Sequence, residues 1–153
     1  MGLGDVYKRQ ALELIRTGES VIIADNLATG HIEAVPKDAK FYLGDLHDKA
    51  FLDNIFENEQ IDAVIHFAAY SLVGERVVNP LKYYDNNLCG TKILLDSMVE
   101  HHIDKIVFSS TAATYGEPES IPILETEHSQ PIHMVKPNLL WRRCSIGLQK
   151  LMV

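Results

Sequence analysis

Small and polar residues follow four apolar runs of the sequence, at the point where each run ends. These residues are Asp25-Asn26, Gly44-Asp45, Phe67-Ala68-Ala69 and Ser109-Ser110-Thr111. Carboxylate, amide and hydroxyl groups can hydrogen-bond a polar ligand, and small residues let a ligand approach the backbone. Open parallel sheets bind ligands just beyond the carboxyl ends of their strands. If the four runs are parallel strands, these groups form a candidate binding site.

The composition of the four apolar runs predicts β-strands. They lie at 19–25, 40–43, 61–67 and 105–110 and are rich in β-branched and aromatic residues. The run at 61–67 is so continuously apolar that it predicts a strand buried on both faces, and 105–110 predicts another buried strand.

Helical patterns alternate with these strands. One helix runs from Ala11 to a stop at Gly18, and a second is capped by Asp48. A third, of about six turns, starts at Asn79-Pro80 and ends at His101 or His102. Its apolar face is predicted to comprise Leu81, Tyr84, Leu88, Thr91, Leu95 and Met98. This alternation predicts an α/β fold with a parallel sheet.

Composition excludes several classes of protein. The chain carries 14 Lys and Arg against 21 Asp and Glu, a net charge of −7, which argues against binding to nucleic acid or anionic membranes. No apolar run approaches the ~18 residues of a membrane span. Cys89 and Cys144 form no metal or disulfide motif, so a reduced, cytoplasmic protein is expected.

The histidines suggest no metal site. His66 lies within an apolar run and is predicted to be a core residue. His47, His101 and His102 are predicted to have no carboxylate or cysteine cluster around them.

Five blocks together resemble the extended short-chain dehydrogenase/reductase superfamily, specifically its NAD-dependent epimerase/dehydratase family. The blocks lie at 25–31, 44–46, 66–75, 83–91 and 108–116, in the family's order and spacing. The resemblance implies a Rossmann-like doubly wound parallel sheet with NAD as cofactor. It further implies a UDP-sugar substrate and a homodimer in full-length relatives.

The resemblance also assigns residues to the cofactor. The implied NAD-binding set is Asp25, Asn26, Leu27, Thr29, Gly30, Asp45, Leu46, Phe67, Ala68, Ala69, Ser71 and Asn86. Asp25 would accept hydrogen bonds from the adenosine ribose, and its charge would repel the 2′-phosphate of NADP. Asp45 would pair with the adenine amino group. Many relatives carry lysine at the position of Ser71.

Thr111 is the one catalytic residue that the resemblance carries over. Its hydroxyl would bond the sugar O4 while a tyrosine removes the proton and NAD takes the C4 hydride. The related dehydratases have an Asp-Glu pair after this threonine, whereas this chain has Ala112-Ala113. The expected reaction is therefore C4 epimerisation of a UDP-hexose, the UDP-glucose/UDP-galactose interconversion of galactose metabolism. Two alternatives stay open: a noncatalytic dinucleotide-binding module, and an epimerase of UDP-N-acetylhexosamines or uronates.

Two family features have no counterpart in the sequence. The family's first strand and G-x-x-G-x-x-G loop would lie upstream of Ala11, but residues 1–10 offer only Gly2 and Gly4. We therefore interpret 1–10 as a non-family leader and 11–130 as a partial NAD-binding domain. The missing strand would lie between those at 19–25 and 61–67.

The Tyr-x-x-x-Lys pair of the family is also absent. Residues 131–153 show no likeness to the family, yet their codons read in a shifted frame permit Asn-Pro-Tyr-Gly-Glu-Thr-Lys. We predict a frameshifted tail, with a divergent C-terminal segment as the alternative. An inactive N-terminal fragment of an epimerase is the resulting expectation.

Overall fold

The computed structural model describes residues 4–70 and 78–109, and it has the predicted α/β fold. The elements, in order, are α1 (Gly4–Arg16), β1 (Ile22–Asp25), a 3-10 turn (Ile32–Ala34), β2 (Lys40–Leu43), α2 (Lys49–Asn58), β3 (Val64–His66), α3 (Pro80–Tyr84), a π-helical segment (Asp85–Gly90), α4 (Thr91–Glu100) and β4 (Ile106–Phe108). No helix in these described ranges is long and apolar enough to span a membrane.

Helix α1 begins earlier than the sequence predicts. It extends from Gly4, through part of the segment interpreted as a leader, to Arg16. As expected, the chain leaves the helix before Gly18, whose φ of +93° lies in the region that glycine adopts without strain.

The four strands form two parallel pairs rather than one continuous sheet. β1 pairs with β2, with Ile22 opposite Lys40, and β3 pairs with β4, with Val64 opposite Ile106. Within the described residues no strand joins β1 to β3. The break falls where the sequence predicts that a strand is missing.

Helix α2 is built as its sequence predicts. The Asp48 side chain accepts a hydrogen bond from the Phe51 backbone N–H at 3.2 Å, which caps the first turn. Leu52 then packs with three other buried residues, Leu94, Met98 and Ile103, in a core between α2, α4 and the β3–β4 pair.

Polar contacts join α2 to α4 beside this core. Asp53 accepts hydrogen bonds from Lys49 at 2.7 Å and from Ser97 at 2.5 Å, and Ser97 is fully buried. Lys49 also pairs with Glu100 at 2.7 Å. These contacts fix α4 relative to α2, and hence fix the segment that precedes α4.

The long helix spans the predicted residues but its buried face differs from the prediction. Leu81 and Tyr84 are exposed, whereas Tyr83 is buried. After the π-helical segment the buried residues are Thr91, Leu94, Ser97 and Met98, so Leu95 is not central. A π turn holds more residues than an α turn and rotates the face that follows it, which apolar spacing alone does not reveal.

The expectation that β3 is buried on both faces is wrong, and β4, which is predicted to be a buried strand, also has an exposed residue. Ile65 is 40% exposed and Val107 is 60% exposed, and α1 is the helix that lies near this face among the described residues. An apolar cleft of about 460 Å³ separates α1 from the two strands, with Leu14, Ile65, Phe67 and Val107 among its lining residues. The opposite face, which carries His66, packs on α4.

Gly44 provides a test of how closely β2 approaches α2. A Cβ at Gly44 would lie 2.4–2.6 Å from three carbons of the Phe51 ring, so Gly44→Ala must displace that ring. We expect a loss of ~1–3 kcal/mol in the free energy of unfolding, measured by urea titration. Gly30→Ala is the control, because its added Cβ meets nothing closer than 3.7 Å. Equal urea midpoints for the two variants would contradict this close packing of Gly44 on Phe51.

Candidate functional site

The carboxyl ends of β1 and β2 are joined by a side-chain hydrogen bond. Asn26 Nδ2 donates to Asp45 Oδ2 at 2.8 Å, while Asn26 Oδ1 accepts from the Ala28 backbone N–H at 2.9 Å. The structure therefore brings together two of the residue pairs that the sequence singles out.

The turn after β1 is shaped by Asp25. Its Oδ1 accepts from the Leu27 N–H at 2.6 Å, and Leu27 adopts a φ of +55°, an uncommon value for a residue with a side chain. Gly30 returns beside the carboxylate: a Cβ there would lie 3.7 and 3.8 Å from the two Asp25 oxygens. Thr29 lies in the same turn and is exposed.

Asp45 is the most strongly bonded carboxylate at this edge. It accepts from the His47 backbone N–H at 2.9 Å, from Asn26, and from His47 Nδ1 at 2.7 Å. These hydrogen bonds, led by that of the His47 backbone, lower the pKa of Asp45 to about 2. Asp45 is therefore ionised near neutral pH. A carboxylate has about four acceptor positions, so one is left for a further donor.

The prediction that His47 has no carboxylates around it is wrong. Its ring contacts Asp45 on one side and Asp85 of the π-helical segment on the other. Asp45 lies two residues before His47, which was the available signal; the contact with Asp85 joins residues 38 apart and had none. His101 likewise lies 3.8 Å from Asp53.

The loop after β3 is held by two consecutive asparagines of the π-helical segment. Asn87 accepts from the Tyr70 N–H at 2.8 Å and donates to the Tyr70 carbonyl at 3.0 Å. Asn86 Nδ2 donates to the Ala68 carbonyl at 3.1 Å. Sequence reasoning identified Asn86 but missed Asn87, although the pair Asn86-Asn87 was a visible signal. Ala68 and Ala69 are exposed between these contacts, and Phe67 is half-buried.

His66 is a core residue, as predicted, and its tautomer follows from its partners. Thr91 Oγ1 donates to the Asn87 carbonyl at 2.9 Å, so it must accept from His66 Nε2, which lies 2.9 Å away. Burial lowers the pKa of His66 to about 4, which keeps the ring neutral near pH 7.

Three expectations fall outside the described residues. Ser71, Thr111 and the segment 131–153 are not described, so their roles stay predictions. Within residues 4–70 and 78–109, no group of three or more His, Cys, Asp or Glu side chains is arranged to hold a metal ion.

A parallel α/β arrangement with acceptor groups at its strand ends is typical of nucleotide-binding folds. The sequence profile of the NAD dependent epimerase/dehydratase family matches residues 9–140. This chain belongs to that family.

Two known proteins with similar sequences are UDP-glucose 4-epimerases. The UDP-glucose 4-epimerase of Halalkalibacterium halodurans is 53% identical over 130 residues, and that of Lacticaseibacillus casei is 49% identical over the same length. Each match covers 85% of this chain and 39% of the relative. The chain thus spans about two fifths of the length of these relatives.

A solved structure agrees with the fold. The UDP-glucose 4-epimerase of Brucella ovis in complex with NAD superimposes with a TM-score of 0.81 at 40% identity, covering 90% of this chain and 42% of that protein. The Rossmann-like fold expected from the sequence is confirmed.

Asn87 is expected to order the loop after β3. Asn87→Ala removes both bonds to Tyr70, so the Tyr70 amide hydrogen should exchange about five-fold faster, the scale of one net hydrogen bond. Hydrogen exchange followed by NMR measures this. Asn58→Ala, which removes an amide that bonds within α2, is the control. Unchanged exchange at Tyr70 in the Asn87 variant would show that the loop is held by other contacts.

Proposed function

We propose that this chain supplies the NAD-binding part of a UDP-glucose 4-epimerase, the enzyme that inverts C4 of a UDP-hexose. The observation that carries the proposal is the Asn26–Asp45 hydrogen bond, which places two carboxylates, Asp25 and Asp45, at adjoining strand ends. Membership in the NAD dependent epimerase/dehydratase family gives these carboxylates a common ligand.

The adenosine half of NAD fits the described residues. It presents donors, the ribose hydroxyls and the adenine amino group, and both Asp25 and Asp45 are acceptors with capacity left. Gly30 leaves the space beside Asp25 unfilled, which a side chain would occupy. Asp25 would hold the ribose and Asp45 the adenine, with Asn26, Leu27, Thr29 and Leu46 around them.

The loop after β3 suits the other half of the dinucleotide. Ala68 and Ala69 are exposed and carry only methyl groups, so a pyrophosphate can approach the backbone. Asn86 and Asn87 hold this loop by hydrogen bonds to Ala68 and Tyr70. We expect Phe67, Ala68, Ala69 and Ser71 to line this half, with Asn86 acting through the loop.

The chemistry divides between the cofactor and the chain. When bound, NAD supplies a reversible hydride acceptor for C4 of the sugar. Thr111 would hold the C4 hydroxyl by a hydrogen bond. Ala112 and Ala113 provide no acid or base, which favours epimerisation over dehydration.

The proposal also includes a substrate class, an oligomeric state and a cellular location. The relatives' name supports a UDP-sugar as the substrate. A homodimer and a cytoplasmic location are proposed with it, and the net charge of −7 accords with a protein that avoids nucleic acid and anionic membranes.

Cofactor preference tests the role of Asp25. The chain should bind NAD more tightly than NADP, because a 2′-phosphate beside the Asp25 carboxylate is repelled. Asp25→Asn should bring the ratio of the NADP and NAD dissociation constants closer to one, as measured by titration calorimetry. Asp62→Asn, which changes an exposed aspartate before β3, should leave the ratio unchanged. Equal affinity for both dinucleotides in the unaltered chain would refute this role.

Epimerase activity is testable in a chimera in which residues 19–128 replace the matching segment of the Lacticaseibacillus casei enzyme. The chimera should interconvert UDP-glucose and UDP-galactose. Thr111→Val should lower its kcat ~10²-fold, because one hydrogen bond at the reacting oxygen is lost. Thr111→Ser, which keeps the hydroxyl, should retain most activity. A chimera that binds NAD without epimerase activity would count against the proposed reaction, and an unchanged kcat in Thr111→Val would remove Thr111 from the site.

A further inference from the structure

The His47 ring lies between two acceptors that belong to different parts of the chain. Its Nδ1 is 2.7 Å from Asp45 Oδ1, and its Nε2 is 3.3 Å from the Asp85 carbonyl oxygen and 3.6 Å from Asp85 Oδ2. An ionised carboxylate and a carbonyl oxygen can only accept hydrogen bonds. Both contacts are satisfied at once only when both ring nitrogens carry hydrogen, that is, when His47 is protonated.

Close packing against the π-helical segment reinforces these contacts. A Cβ at Gly90 would lie 3.1 Å from Leu46 Cδ2 and 3.3 Å from His47 Cε1. Glycine at this position therefore lets residues 44–48, the loop after β2, lie directly on the segment. The packing on Gly90 involves Leu46 and His47, and the polar contact with Asp85 is made by His47.

We propose that His47 is a positioning residue that orients the Asp45 carboxylate and ties the loop after β2 to the π-helical segment. The same segment holds the loop after β3 through Asn86 and Asn87. His47 thus links the two loops that would bind opposite halves of the dinucleotide. This inference rests on the proposed function for its ligand, NAD, but the link itself is a property of the chain.

The link depends on pH in a defined direction. The charged groups that contact His47 in the described part of the chain are Asp45, on its own loop, and Asp85, on the π-helical segment. Asp45 chiefly raises the pKa of His47 above 6.5. A raised pKa means that the link is complete below pH 6.5 and is lost as the pH rises through the folded-state pKa. At the acid end the link persists until Asp45 is protonated, at a pKa of about 2.

Hydrogen exchange tests the link without any ligand. At pH 6, His47→Gln should lower the protection of the amide hydrogens of 85–90 about three- to five-fold, the scale of a partly exposed ion pair. At pH 9 the variant and the unaltered chain should converge. His102→Gln, at an exposed histidine in the turn after α4, is the control and should change neither value.

A second variant guards against a general loss of structure. Asp85 is 70% exposed, so Asp85→Asn should fold normally while lowering the NMR-measured pKa of the His47 ring. If the measured pKa of the His47 ring is not above 6.5, or if protection at 85–90 is unchanged in His47→Gln at pH 6, the proposal is wrong.

Binding of NAD then separates the link from the proposed function. Calorimetry at pH 6 should show a dissociation constant about three- to five-fold higher in His47→Gln than in the unaltered chain, with a smaller difference at pH 9. If His47→Gln lowers amide protection at 85–90 but binds NAD as tightly as the unaltered chain, His47 does not position Asp45 for the cofactor. Failure of the unaltered chain to bind NAD would count against the proposed function, and the exchange result would still decide the link.

Discussion

The described structure depends on the contacts of one short segment, the π-helical turn at Asp85–Gly90. The two strand pairs share no ladder hydrogen bonds within the described residues, so backbone pairing does not align them. The π-helical segment contacts the loop after β2 through His47 and the loop after β3 through Asn86 and Asn87. It is itself fixed by α4, which packs on α2 and forms the Asp53–Ser97 bond. The relative position of the two halves of the candidate site therefore depends on side-chain amides and an imidazole, together with the packing of Leu46 on the core.

Elements with strong signals at their ends were predictable from the sequence. Asp48, Gly18 and the pair Asn79-Pro80 mark helix boundaries by local chemistry, and the structure has a boundary at each. The buried face of the long helix was not predictable, because periodicity assumes a uniform turn and the π-helical segment interrupts it. The exposure of Ile65 and Val107 was missed for another reason: an apolar run indicates a strand but not whether each face is covered.

Part of the candidate site was predictable from the sequence. Parallel strands end at one edge, so Asp25, Asn26 and Asp45 could be grouped from their positions along the chain alone. Contacts between distant elements could not be predicted in this way. His47 contacts Asp85, 38 residues further along the chain, and Asn87 contacts Tyr70, 17 residues earlier. A single sequence records residue types along the chain, whereas these contacts arise because the π-helical segment between α3 and α4 lies against the loops.

The two histidines on either side of the π-helical segment bind protons with opposite effects on folding. His66 must stay neutral to remain buried against Thr91, so between pH 4 and 6.5 the unfolded chain takes up a proton that the folded chain excludes. Acidification through this range penalises the fold at His66, whereas the stabilisation at His47 is gained at higher pH, between its raised folded-state pKa and 6.5, and is already complete below 6.5. The two effects therefore fall in adjoining pH ranges: the fold gains stability at His47 as the pH falls to 6.5 and loses stability at His66 as the pH falls further.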